Sequence, residues 1–170
     1  MVSTFQSKST RNARIRVATP ADAGYIATIE NDAELKRFVG GATGKSEGDY
    51  RRFLETASDL RFLIVESSTS GLPVGICGLL TGFFSEDCEV RVILTKDYWG
   101  HGLGTEIAGA LRELAAELRP GKRVTAKIHP ENTGSLIVAR RLGLTEDGTT
   151  LSHPYESWIH FSSPSATPTI

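Results

Sequence analysis

The 170 residues of this chain suffice for one domain with a substantial hydrophobic core and fall short of two. Hydrophobic residues make up 39% and charged residues 23%, which is an ordinary globular balance. The formal net charge of −1 provides no chain-wide attraction to nucleic acid or to an anionic membrane. We therefore expect neither as a partner, and an anionic ligand must be bound by local groups.

Both ends of the chain predict mobile segments. Residues 1–13 are polar and rich in Ser and Thr, and residues 162–170 combine Ser and Thr with two prolines. The N-terminus lacks the apolar run of a signal peptide, and no apolar stretch approaches the roughly 20 residues that a membrane span needs. We expect a cytoplasmic protein with a flexible N-terminal arm, a single domain over residues 14–161 and a flexible C-terminal tail.

The cysteines and histidines show no metal-site pattern. Cys77 and Cys88 lack metal-ligand spacing and predict two reduced, buried thiols, with a disulfide as the minority alternative. His129, His153 and His160 lack ligand spacing as well, which favours packing or surface roles. We predict no bound metal, and Cys88 has no His or Asn partner by motif that would make it a nucleophile.

The first half of the chain predicts a strand, two helices and a β-hairpin. Residues 14–18 alternate polar and apolar side chains, as a strand does. Thr19, followed by Pro and an acidic residue, begins one helix-capping signal, and Ser46 begins a second. Two short β-type runs, 61–66 and 73–80, are separated by a turn-like segment and predict the hairpin.

The second half predicts a strand at 89–94, a glycine-rich loop and a long helix, then strand 123–128, helix 133–142 and strand 155–161. The apolar residues of the long helix recur every three or four positions and so share one face; they are Leu103, Ile107, Leu111, Leu114 and Leu118. The order β-α-α-β-β-β-α-β-α-β predicts an α/β fold with a central mixed sheet and helices on both faces.

The loop between strand 89–94 and the long helix is typical of phosphate binding. Glycine stands at every second position, Gly100, Gly102 and Gly104, so the backbone can turn sharply and approach a ligand closely. The free N–H groups and the dipole of the following helix point at the loop, which suits a pyrophosphate. A tight turn without a ligand is the alternative. The loop is not a Walker loop and lies too late in the chain for a typical dinucleotide fingerprint. Another kind of nucleotide-binding enzyme is a third interpretation.

Two segments resemble the GNAT superfamily of N-acetyltransferases. The first comprises residues 89–94 and 98–106, and the second comprises residues 130–135 and 141–144, in the same order and separation. They look most like the branch of ribosomal-protein N-terminal alanine acetyltransferases, with its aromatic-Trp-Gly loop and Asn-x-x-Ser. The resemblance implies the acyl-CoA N-acyltransferase fold, acetyl-CoA as donor, and direct attack by a primary amine in a ternary complex. The amine belongs to a protein N-terminus or a small molecule, and relatives are commonly homodimers.

The resemblance also implies how acetyl-CoA is held. Backbone groups of Val92, Ile93 and Leu94 would pair with the pantetheine arm like an extra strand, and Asn132 and Ser135 would contact the cofactor near the thioester. Loop amides would wrap the pyrophosphate, from Trp99, Gly100, His101, Gly102, Leu103, Gly104 and Thr105. In this sequence Trp99 replaces the Gln or Arg that usually opens the loop, and His101 lies either beside a phosphate or in solvent.

Acetyl transfer to an amine needs a base, a donor for the developing oxyanion and a proton for the departing thiolate. Relatives often carry a glutamate at the position of Glu89, so we expect Glu89 to be the base, directly or through water. Apolar neighbours can raise the pKa of such a carboxylate toward a useful value. The alternative is an exposed strand glutamate paired with Arg91; Glu86 and Asp87 are weaker candidates. A backbone N–H near Ile93 is the expected oxyanion donor.

The usual acid of the family is missing. Many relatives use a tyrosine on the last short helix, and counting from Asn132 that position is Ala139. We expect Ser135 to take this role near the sulfur, although an ordinary first-turn serine is the alternative. Asn132 can cap the same helix, and capping is compatible with cofactor contact.

The acceptor pocket is expected between residues 34–44 and 147–155, and its amine cannot be identified from the sequence. Glu30, Asp32 and Glu34 would attract a cationic amine, but a solvated helix end explains them equally. The absent tyrosine keeps a second hypothesis open, in which the chain is a non-catalytic acyl-CoA-binding or regulatory module of the same fold.

Overall fold

The structure is a computed structural model that describes residues 5–57, 60–81, 87–153 and 156–164. In this part of the chain one eight-stranded sheet is covered by four α-helices. The strands are β1 (Ser7–Ser9), β2 (Ala13–Val17), β3 (Leu63–Ser67), β4 (Pro73–Thr81), β5 (Cys88–Leu94), β6 (Val124–Ile128), β7 (Thr145–His153) and β8 (Glu156–Ser162). The helices are α1 (Ala23–Asn31), α2 (Glu47–Thr56), α3 (Leu103–Leu118) and α4 (Thr133–Arg141).

The strands lie in the order β1-β2-β3-β4-β5-β6-β8-β7. Every neighbouring pair is antiparallel except β5 and β6, which are parallel. Parallel neighbours need a crossover connection, and α3 provides it. The predicted α/β fold with a mixed sheet is confirmed, as is the predicted hairpin of β3 and β4.

Two hydrophobic clusters pack on opposite faces of the sheet. The larger contains Leu103, Ile107 and Leu111 of α3 together with strand residues, and the smaller contains Ile26 of α1 and Tyr50 of α2. The predicted apolar face of the long helix is therefore the face that packs on the sheet. Because successive side chains of a strand point to opposite faces, β5 contributes to both clusters.

The predicted capping signals begin both N-terminal helices. Thr19 and Asp22 form a capping box around the short 3₁₀ turn Pro20–Asp22 that leads into α1. At α2 the Ser46 hydroxyl accepts a hydrogen bond from the Asp49 amide at 3.2 Å, and the Asp49 carboxylate accepts one from the Ser46 amide at 2.8 Å. Loss of such a cap typically costs about 1 kcal/mol.

Two strands were not predicted. β1 pairs with β2 and places Ser7 opposite Arg16, so the sheet extends into the segment where a mobile arm was expected. β7 pairs with β8, and its polar sequence around Gly148 hides the strand because too few apolar residues alternate. Ser162, the first residue of the expected tail, is buried at the end of β8 and pairs with Thr125.

Among the described residues, no helix is long and apolar enough to cross a membrane. The same residues contain no group of three or more His, Cys, Asp or Glu side chains arranged to hold a metal ion. Cys77 and Cys88 are both free and buried, as the sequence predicted.

Candidate active site

The glycine loop leaves amide groups free at the N-terminus of α3. Gly100 and Gly102 have φ angles of 76° and 83°, in the left-handed region that favours glycine. The first helical hydrogen bond runs from the Glu106 amide to the Gly102 carbonyl at 3.1 Å. The amides of residues 103–105 therefore point out of the helix end, where the dipole also favours an anion.

Trp99 anchors this loop to the end of β5. Its indole Nε1 donates a 2.7 Å hydrogen bond to the Leu94 carbonyl, while 48% of the residue stays exposed. The Trp99 amide already donates to the Lys96 carbonyl at 2.9 Å, so this amide is satisfied within the loop. The expected ring of amides is thus shortened to residues 100–105. His101 is exposed beside them.

β5 and β6 separate after two residue pairs. They pair only at Cys88 with Val124 and at Glu89 with Thr125. On its other edge, β5 pairs with β4 over the whole length of β5. The separation opens a cleft of about 400 Å³ between β5, β6, α3 and α4, which we call the β5–β6 cleft. One edge of β5 is thereby exposed to the cleft, and an extended chain can pair with such an edge.

Strand parity decides which backbone groups of β5 face the cleft. The Thr95 amide donates to the Val74 carbonyl on β4, and the Cys88 amide donates to the Arg123 carbonyl just before β6. Because ladder bonds alternate along a strand, Val90, Val92 and Leu94 direct their N–H and C=O groups toward the cleft. Ile93 directs its amide at β4, where it pairs with Ile76. Of the amides near Ile93, those that face the cleft are Val92 and Leu94.

Glu89 lines the β5–β6 cleft and is bound to an unexpected partner. Its carboxylate lies 2.7 Å from the Lys127 ammonium on β6, with 29% of the glutamate side chain exposed. The alternative pairing of Glu89 with Arg91 is wrong, because Arg91 turns to Glu30 instead, at 3.0 Å. Asp87 pairs with Arg123 at 2.8 Å at the start of the strand, and Glu86 lies outside the described residues.

Asn132 and Ser135 also line the β5–β6 cleft, at the start of α4. The Asn132 side-chain oxygen accepts a hydrogen bond from the Ser135 amide at 3.1 Å, which confirms the predicted N-cap. Ala139, one turn further on, also lines the cleft and is 2% exposed. The structure thus brings Glu89, Asn132 and Ser135 around one cleft, whereas the glycine loop lies beyond the far end of β5.

A second cavity of about 730 Å³ lies on the other side of β5, against α1 and α2. We call it the α1–α2 cavity. Val39, Gly40 and Arg91 line both this cavity and the β5–β6 cleft, so the two spaces are adjacent. Side-chain alternation places Glu89 and Arg91 on this face of β5, together with buried Ile93.

The acidic residues at the end of α1 are all engaged. Glu30 is buried and bound by Lys36 at 2.8 Å and by Arg91. Asp32 accepts backbone hydrogen bonds from residues 34 and 35, both at 2.9 Å, and Glu34 pairs with Lys96. Neither sequence interpretation of Glu30 holds, since it is neither solvated nor available to a cationic amine. Its pairing to β5 depends on tertiary structure and leaves no pattern in the sequence.

His129 and His160 have structural partners, whereas the side chain of His153 lies outside the described part of the structure. The His129 ring stacks on Phe38 at 5.0 Å between centroids and accepts the Glu131 amide at Nδ1. His160 is hydrogen-bonded to Asp147. Burial raises the pKa of the Cys88 thiol.

Comparison with known proteins decides the family. The model of the acetyltransferase (GNAT) domain matches residues 12–145, which is most of the chain. The chain belongs to the GNAT acetyltransferase family. An uncharacterized N-acetyltransferase p20 of Bacillus licheniformis is 23% identical over 135 residues, 75% of each chain.

Solved GNAT structures share the fold at low sequence identity. A ribosomal-protein-S5-alanine acetyltransferase from Vibrio fischeri superposes with a TM-score of 0.76 at 17% identity, covering 94% of this GNAT chain and 97% of its own. A spermidine N-acetyltransferase from Vibrio cholerae, in complex with CoA and spermine, gives 0.75 at 13% identity, covering 89% and 94%. These likenesses establish the fold, and the family model establishes that the chain is an acetyltransferase.

Proposed function

We propose that this GNAT chain transfers the acetyl group of acetyl-CoA to a primary amine that enters from the α1–α2 cavity. The observation that carries the proposal is the separation of β5 from β6, which exposes a strand edge that ends at the amide-lined N-terminus of α3. The pantetheine arm of CoA would pair with the strand edge, and the diphosphate attached to that arm would bind at the helix N-terminus. Location in the cytosol and assembly into a homodimer remain predictions.

The residues present fit the donor. The amides of residues 100–105 would hold the diphosphate, since the open space at Gly100 and Gly102 leaves room for phosphate oxygens. The cleft-facing backbone of Val90, Val92 and Leu94 would pair with the pantetheine amides. The Leu94 carbonyl is already occupied by the Trp99 indole, so Val92 is the principal pairing residue. Asn132 and Ser135 would contact the donor near its thioester.

When bound, acetyl-CoA supplies an activated acyl group on a thiol leaving group. The backbone N–H groups of Val92 and Leu94 are the donors in the cleft for the carbonyl oxygen as it gains charge. Ile93 itself does not contribute, because its amide is in the β4 ladder. Ser135 would donate a proton toward the departing sulfur, in the absence of a tyrosine at Ala139.

Glu89 would accept the proton of the incoming ammonium, directly or through water. Its side chain is on the α1–α2 face of β5 and also lines the β5–β6 cleft, so it can reach an amine that approaches from that side. The Lys127 ammonium at 2.7 Å competes with the substrate ammonium for this carboxylate. Lys127 contacts Oε2 of this carboxylate, so the substrate amine would approach Oε1.

A thiol-release assay tests the proposal. The protein is mixed with acetyl-CoA and a panel of peptides and small amines, and free thiol is measured together with calorimetric binding of CoA. We expect tight CoA binding and amine-dependent thiol release. Binding of CoA without thiol release for any amine would favour a non-catalytic module, and failure to bind CoA would refute the proposal altogether.

A further inference from the structure

A buried charge cluster beside the α1–α2 cavity contains one carboxylate for two cations. Glu30 and Lys36 are 2% and 3% exposed, with 2.8 Å between the Lys36 ammonium and Glu30 Oε2. Arg91 Nη1 lies 3.0 Å from Glu30 Oε1. The cluster therefore retains a formal positive charge, and an uncompensated buried charge is costly unless an anion pairs with it.

The unpaired groups of Arg91 form a recognisable pattern. Among the described residues, its buried Nε and Nη2 atoms have no hydrogen-bond partner, and Glu30 Oε1 lacks an aligned hydrogen bond as well. Nη1 is turned to Glu30. The two nitrogens left over carry parallel N–H bonds along one edge of the planar guanidinium, and this edge binds a carboxylate through two hydrogen bonds. The Phe62 ring, 5.1 Å from the guanidinium carbon, packs against one face of the group.

The rest of the α1–α2 cavity favours an anion too. Apart from Arg61, which has a partner of its own, its charged lining residues are Lys36, Lys45 and Arg91 against Glu30 and Asp49. Asp49 is committed to the Ser46 cap and to an ion pair with Arg52 at 2.6 Å. A polyamine would therefore meet excess positive charge in this cavity.

We propose that Arg91 turns its Nε–Nη2 edge, which is closed to solvent in the unliganded protein, into the α1–α2 cavity and binds a carboxylate of the acceptor there. The preferred acceptor is then an amine with an acid group a short chain away. This inference rests on the proposed function, because it assigns the acceptor of the same site. Arg91 and Glu89 share one face of β5 two residues apart, a spacing of about 7 Å. A peptide N-terminus followed by an acidic residue can place its amine and its side-chain carboxylate at a comparable separation, whereas an α-amino acid holds the two groups much closer together.

Matched acceptors test the inference. Alanine is compared with alaninamide, and a peptide beginning Ala-Asp with one beginning Ala-Asn, so that the two pairs separate small acceptors from peptide acceptors. The acid-to-neutral ratio of kcat/KM is measured in wild type, in Arg91→Gln and in Arg91→Lys. Comparing ratios between proteins cancels the different basicity of the amines. Arg51→Gln is the matched control, since it removes one exposed arginine that pairs with Glu47 outside both cavities.

We expect the ratio in at least one pair to fall by about 10- to 100-fold in Arg91→Gln, the worth of a charged hydrogen-bonded pair, and to stay unchanged in Arg51→Gln. Arg91→Lys keeps the charge without the two parallel donors and should fall in between. If Arg91→Gln does not fold, the acid-to-neutral ratio in Arg91→Lys still decides. A ratio that is unchanged in the Arg91 variants overturns the inference.

A binding measurement keeps this test separate from turnover. Calorimetric titration with N-acetylalanine and N-acetylalaninamide needs no catalysis, and we expect only the acid to bind in an Arg91-dependent manner. Arg91-dependent binding of N-acetylalanine, without thiol release for any amine, would refute the proposed function and support the carboxylate site at Arg91. Thiol release without any carboxylate preference, in rate or in binding, would do the reverse.

Discussion

Gly104 provides a variant in which protein stability and donor binding change in opposite directions. It lies in the first turn of α3, and a Cβ atom built there would meet Val138 Cγ2 at 3.7 Å and Leu94 Cδ1 at 4.0 Å, which are ordinary contacts. A Cβ atom at this position therefore fits the unliganded protein. Because valine has a better helix propensity than glycine, we expect unchanged stability or a gain of a few tenths of a kcal/mol.

The same substitution should abolish donor binding. Each amide–phosphate hydrogen bond involves a charged partner and is worth about 1.5–3 kcal/mol. The added isopropyl group would point toward Val138, which lines the β5–β6 cleft, and we expect it to displace a phosphate from the amides of residues 104 and 105. Loss of two such bonds corresponds to a Kd at least about 100-fold weaker.

Calorimetric titration with CoA and a thermal melt of the free protein measure both effects. Gly109→Val is the matched control, because Gly109 lies in the same helix and its added Cβ would meet only Leu142 Cδ2, at 3.9 Å. We expect the control to bind CoA like wild type. Retained CoA binding in Gly104→Val, at unchanged stability, would refute the assignment of the diphosphate to this loop.

Further predictions concern the base, acid stability and the thiols. Glu89→Gln should lower kcat by about 10²-fold or more, chiefly at lower pH where little free amine exists, and leave CoA affinity unchanged; equal rates across a pH profile would remove Glu89 from the mechanism. Partial burial would raise the pKa of Asp22, but hydrogen bonds from Arg16 and Thr19 outweigh it and hold this pKa below the unfolded value of 3.8. The stabilisation is therefore present above pH 3.8 and lost as the pH falls through the folded pKa. In urea titrations, Asp22→Asn should lower the free energy of unfolding by about 1–3 kcal/mol at pH 7 and by progressively less in acid. Burial raises the pKa of Cys77 and of Cys88, so both thiols should stay unmodified by a thiol reagent at pH 7 until the protein unfolds; rapid labelling of the native protein would contradict their burial.

Local patterns were sufficient for the elements that carry the site. The periodicity of residues 103–118 predicted α3 with its buried face, and the alternating glycines predicted the turn that opens it. Asn132 was predicted as an N-cap because the cap acts within one turn. β1 and β7 escaped prediction because they owe their structure to pairing with a neighbouring strand rather than to alternating apolar residues.

The charged groups of the site could not be assigned from sequence. Lys127 lies 38 positions from Glu89 and meets it only because β5 and β6 run parallel at their first residues. Arg91 pairs with Glu30 on a different element for the same kind of reason. The direction of the Ile93 amide follows from the register of β4 with β5, which one residue of slippage would reverse.

A crystal structure of the protein with bound CoA tests the central claim most directly. We predict that diphosphate oxygens lie within hydrogen-bonding distance of amides in residues 100–105 and that the pantetheine amides pair with the cleft-facing edge of β5. CoA bound elsewhere, with the loop at the start of α3 empty of phosphate, would contradict the account.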